Sequence, residues 1–114
     1  MNEYMNWAQL SLAEQMVNIG TEVRRAIKAQ KKGNDERMKN ECLMAINMLA
    51  LSISDEKNIF RRGELMLAQR VLLDYFFENN SFGSTEQQIT NYSRSKELLI
   101  CLRTNQKIHQ IRQR

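Results

Sequence analysis

The chain has 114 residues, 42% of them hydrophobic and 26% charged, with a formal net charge of +4. That length fits one domain, since domains cluster at about 100–150 residues, and the composition is that of a folded chain rather than a disordered one. Proline is absent and glycine occurs only four times, whereas sheet proteins need frequent turns built from such residues, so the expected class is all-α.

The first helix is the clearest. Ser11-Leu-Ala-Glu14 reads as a capping box, with Trp7 to Leu10 able to extend the helix backward. Leu12, Met16, Ile19, Val23, Ala26 and Ile27 recur at steps of three and four and form one apolar stripe. Gly20 sits mid-helix beside that stripe, where close approach of a neighbouring helix would offset its poor helix propensity. Gly33 suits the left-handed cap, and Asn34 or Asp35 can open the next helix.

Helix two is expected from about Asp35 to Ser52 or Ile53, buried through Met38, Cys42, Ala45, Ile46, Leu49 and Ile53. Leu43, Met44, Met48, Ala50 and Leu51 widen its apolar arc until few faces stay polar. Such a helix is central in its bundle or faces a partner. Ser54 to Asn58 reads as a polar connection. Helix three is expected from about Ile59 to Glu78, capped by Asn58, with Leu65, Ala68, Leu72, Tyr75 and Phe76 inward and Met66, Leu67, Val71, Leu73 and Phe77 beside them. Asn79 to Gly83 is a loop whose Phe82 is expected to fold back onto the core. Helix four opens at Ser84 or Thr85, with Glu86 or Gln87 completing a capping box. Short connections imply antiparallel neighbours. The expected architecture is a single domain over residues 1–114, an antiparallel up-down four-helix bundle whose last, basic helix (93–114) carries a C-terminal extension.

Cys42 and Cys101 lie far apart in apolar surroundings and read as small buried hydrophobes. No cysteine or histidine spacing points to a metal, and no cofactor or small-molecule substrate is expected. Met1-Asn-Glu-Tyr-Met lacks the pattern of a signal peptide, and no run approaches the roughly 20 apolar residues of a membrane span. The expected location is the cytoplasm, without membrane association.

Charge is unevenly spread. Arg94, Lys96, Arg103, Lys107, Arg112 and Arg114 face only Glu97 in the last 21 residues, while residues 1–93 carry eleven basic and twelve acidic side chains. A basic terminal segment either solubilises a helix end or offers a surface to nucleic acid or an acidic partner, so these six residues are the candidate nucleic-acid contacts. A second cluster, Arg24, Arg25, Lys28, Lys31 and Lys32, is expected at the opposite pole from Arg61 and Arg62.

His109 is the only histidine, which leaves few acid–base constellations. Arg103-Thr-Asn-Gln-Lys-Ile-His109 has the R-x5-H form and resembles the R-x(4–6)-H motif of HEPN-type ribonucleases, with Thr104 where that family usually has Asn, Asp or His. The resemblance implies a helical, often dimeric fold in which Arg103 and His109 act on the RNA backbone. More broadly, Leu10 to Gly20, Lys32-Gly-Asn34, Asp74-Tyr-Phe-Phe77 and Phe82-Gly-Ser-Thr85 resemble a family of short uncharacterised prokaryotic helical proteins. That likeness implies a helical fold and a prokaryotic source, with no assigned activity. The leading functional expectation is a non-enzymatic helical interaction module, self-associating or docked on a protein partner as an accessory subunit, because helices two and three carry surplus apolar residues such as Met38, Met44, Met48 and Met66.

Overall fold

The computed structural model describes residues 3–92, and every regular element among them is helical. A short 3-10 helix, Glu3–Gln9, precedes α1 (Leu12–Lys31) and α2 (Asp35–Ser54). A second 3-10 helix, Glu56–Arg61, leads into α3 (Arg62–Phe77), and α4 (Glu86–Tyr92) follows.

Local chemistry sets these boundaries. Ser11 accepts the Glu14 amide at 3.1 Å while the Glu14 carboxylate accepts the Ser11 amide at 2.9 Å, so α1 opens on the capping box expected of it. It closes where Gly33 adopts a φ of 73°, and Asn34 then accepts the Arg37 amide at 3.1 Å to start α2. The box at α4 is built differently from expectation. Thr85 pairs reciprocally with Gln88, three residues on, because the N3 position, and neither Glu86 nor Gln87, faces back to the cap.

The core follows the apolar stripes. Met16, Ile19, Val23, Ala26 and Ile27 from α1 meet Met38, Cys42, Ala45, Met48 and Leu49 from α2. Leu65, Ala68, Leu72 and Phe76 from α3 and Ile89 from α4 complete it. Gly20 is buried on this inner side of α1. α2 packs against both α1 and α3, while α4 rests on α1; the broad apolar arc of α2 serves two neighbours.

A buried polar knot joins the start of α1 to the end of α2. The Trp7 indole donates to Ser52 Oγ at 3.0 Å. Gln15 Nε2 donates to the Trp7 carbonyl and to Asp55 Oδ2, both at 3.0 Å. Asn58 Nδ2 donates to Gln15 Oε1 and to the Ser52 carbonyl, both at 2.9 Å. Lys57 pairs with Asp55 and donates to the Ala8 carbonyl at 2.7 Å. Asn58 is therefore an interior tether and not the cap of α3. Of the connection expected over Ser54 to Asn58, Ser54 belongs to α2, and the rest leads into a 3-10 helix that runs on to Arg61, so α3 starts at Arg62 and not at Ile59. Buried polar groups require such partners, since each one left unmet costs about 1–3 kcal/mol.

The loop after α3 is held by Asp74. Its fully buried carboxylate accepts the Ser81 amide (2.8 Å), the Ser81 hydroxyl (2.9 Å) and the Phe82 amide (3.1 Å). With its backbone fixed by that carboxylate and by Asn80 at a φ of 51°, the loop holds Phe82 about half exposed. Phe82 does not fold onto the core as expected.

Candidate interaction surface

Among the described residues, packing leaves one long side of α3 uncovered. Successive helical residues turn by about 100°, so positions three and four apart share a face. Gly63, Met66, Leu67 and Arg70 lie on one such face, and Ile59 and Phe60, in the 3-10 helix just upstream, are exposed too. Phe60 is 89% exposed, Met66 56% and Ile59 51%, with Leu67 beside them. A Cβ placed on Gly63 would meet nothing within 4 Å, so bare backbone lies open among these side chains. Arg70 and Glu78 form a two-point ion pair, at 2.8 and 3.0 Å, and bound the apolar stretch on its C-terminal side. The half-exposed Phe77 and Phe82 lie beyond it in the chain.

α2 carries a second uncovered stripe. Leu43, Asn47, Ala50, Leu51 and Ser54 recur at helical spacing and are all exposed, and the last four line a shallow, largely apolar depression of about 410 Å³. The surplus apolar area expected on α2 and α3 is thus present, on Leu43, Ala50, Leu51, Met66 and Leu67 among the residues expected to widen their apolar arcs, but not on Met38, Met44 or Met48. Met38 and Met48 are buried and Met44 is half-buried, while of the four methionines only Met66 is exposed. Phe60 escaped the sequence reading because it lies in a 3-10 helix, outside the heptad-like stripe that singles out core candidates. The aromatic run divides as well: Phe76 is buried, Tyr75 half-buried and Phe77 exposed.

The basic groups singled out by the sequence differ in their surroundings. Arg61 and Arg62 are engaged internally: Arg61 pairs with Glu64 in the first turn of α3 at 2.7 Å, and Arg62 donates to the Ile53 carbonyl of α2 at 2.8 Å, tying α3 to α2. Lys31 reaches Glu86 on α4 at 2.6 Å, which raises its pKa. Arg25, Lys28, Lys32 and Arg37 line a cleft of about 350 Å³ together with Ala29 and Asn34. Arg94, Lys96, Arg103, Lys107, His109, Arg112 and Arg114, the residues of the nucleic-acid and ribonuclease readings, lie outside the described residues.

No metal-binding group of carboxylate, cysteine and histidine side chains occurs among the described residues, and none of their helices is long and apolar enough to cross a membrane. No protein-family model, curated protein or solved structure matches the chain.

Proposed function

We propose that this protein is a small, non-enzymatic helical interaction module that docks through the uncovered face of α3. One observation carries the reading: Phe60, at the entry to α3, stands 89% exposed, and Ile59, Met66 and Leu67, close to it in the chain, are exposed as well. Contiguous exposed apolar side chains on a folded domain mark interaction sites, and aromatic anchors surrounded by smaller apolar contacts dominate binding at interfaces. The depression on α2 extends the same character to a second helix. The helices run up-down-up-down in this proposal, supported by Gln15 near the start of α1 bonding to Asp55 and Asn58 just past α2. Tyr75 and Gln30, late in α3 and α1, meet at 3.3 Å. The module acts in the cytoplasm, alone as an oligomer or as an accessory subunit.

Site-specific photocrosslinking tests this reading. A benzophenone side chain at position 60 should yield a discrete adduct in the native host, either with a second copy or with one protein, and the same probe at Lys39 should not. Adducts of equal yield at both positions, or none at position 60 together with a concentration-independent monomer by light scattering, would overturn it. The ribonuclease alternative makes a separate demand. RNA cleavage by the purified protein that is lost on His109→Ala would replace the non-enzymatic reading.

A further inference from the structure

The geometry points to the cleft between the end of α1 and the start of α2 as a binding site for the phosphate backbone of a nucleic acid, distinct from the basic C-terminal segment. Four cations line it, Arg25, Lys28, Lys32 and Arg37, and no carboxylate does. Residues 24–32 carry five basic side chains and no acidic one. Arg25 is paired with Glu22 at 2.9 Å and Arg37 loosely with Glu41 at 3.7 Å. Lys28 and Lys32 have no ion pair among the described residues and are both exposed. They stand one turn apart, where like charges repel, so a bound anion between them relieves a cost already present in the fold. The ends of α1 and α2 meet here with opposite dipole signs, so the attraction for an anion comes from the four side chains. Asp35 and Glu36 occupy the first turn of α2 but do not line the cleft.

The lining also selects among phosphate-bearing ligands. Ala29 is its only apolar member, so no aromatic ring or apolar wall is present to enclose a base, as a mononucleotide pocket requires. Cations on an open, unwalled cleft engage the phosphate backbone first, which gives largely sequence-independent, salt-sensitive binding. Arg24 and Lys31 on the same helix and Lys39 on α2 lie close in sequence to either side, and a polymeric ligand can use flanking charge that a single phosphate cannot.

Fluorescence anisotropy with a labelled DNA duplex, titrated over about 50–200 mM salt, tests the inference. The full chain should bind with a steep salt dependence. Lys28→Gln/Lys32→Gln should weaken binding at every salt concentration and reduce the log–log slope by about 0.9 for each lysine removed. The same variant should melt close to the parent, since relief of the repulsion is offset by loss of two cations from the negative end of α1. Arg112→Gln/Arg114→Gln changes the net charge equally and serves as the control for the C-terminal segment. Wild-type affinity and slope in the lysine variant would overturn the proposal, as would absence of binding at the lowest salt. Displacement of the duplex by polyglutamate as effectively as by unlabelled DNA would reassign the cleft to an acidic protein. Saturation by inorganic phosphate without duplex binding would reassign it to a small anion.

Discussion

Trp7 and Ser52 are 45 residues apart, yet the indole donates a 3.0 Å hydrogen bond to the hydroxyl and both side chains are buried. This bond fastens the N-terminal 3-10 helix over the end of α2. Ser52→Ala would strand the indole N–H in the interior, at a cost of about 1–3 kcal/mol, offset by a few tenths from the better helix propensity of Ala. The midpoint of urea unfolding should fall accordingly. Trp7 is the only tryptophan, so its emission reports this junction directly. An unchanged midpoint would mean that the 3-10 helix contributes nothing to the cooperative unit.

The Asp74 clamp should show itself as an acid limb. Burial alone would raise the pKa of this carboxyl. The amide of Phe82, the amide and hydroxyl of Ser81 and the charge of Arg70 outweigh it and hold the group below its ordinary 3.8. A carboxyl depressed in the folded state contributes its full stability above the unfolded pKa and loses it as pH falls through the folded one. Stability should therefore decline below about pH 4. Asp74→Asn removes the charge and turns an N–H₂ toward donors, so the variant should be weaker at neutral pH and flatter in its acid limb. Urea titrations of both proteins from pH 7 down to pH 2.5 check this.

The two clamps explain how much of the fold could be read from the chain alone. Stripes at three- and four-residue spacing, such as Met16-Ile19-Val23 and Leu65-Ala68-Leu72, reveal their buried side because periodicity is a local property. The capping box of Ser11 and Glu14 is equally local. Gln15, Asn58 and Asp74 could not be placed that way, since a polar side chain is buried only when distant partners satisfy it, and those partners are set by packing. Phe82 was misplaced for the same reason: apolarity argues for the core, but the backbone on either side of it is fixed by Asp74. The apolar surplus of α2 and α3 was legible as a quantity. Its location was not, because which of several apolar residues stays outside depends on where the neighbouring helices lie.

Cys42 should be chemically silent in the folded protein. It is buried at 1% exposure, and burial pushes its thiol up to about 12. Reactivity requires the thiolate, which is then scarce at neutral pH. In a Cys101→Ser background, a disulfide-exchange reagent such as DTNB should leave Cys42 unlabelled under native conditions and label it fully in denaturant. Labelling at native pH in minutes would indicate that the α1–α2 contact opens far more often than its packing implies.

Gly63 separates stability from docking. Its φ lies outside the left-handed region and an added Cβ meets open space, so Gly63→Ala should stabilise the isolated domain by about 0.4–1 kcal/mol, chiefly by restricting the unfolded chain. The same methyl group would stand on the exposed face that Gly63 shares with Met66 and Leu67, where an incoming surface must approach the bare backbone. If α3 docks as proposed, the variant should unfold at higher urea while associating more weakly. Sedimentation equilibrium measures the association for self-contact, and crosslinking yield at position 60 measures it for another protein. A variant that is more stable and equally well associated would move the docking surface away from Gly63 and toward the stripe of Leu43, Ala50 and Leu51 on α2.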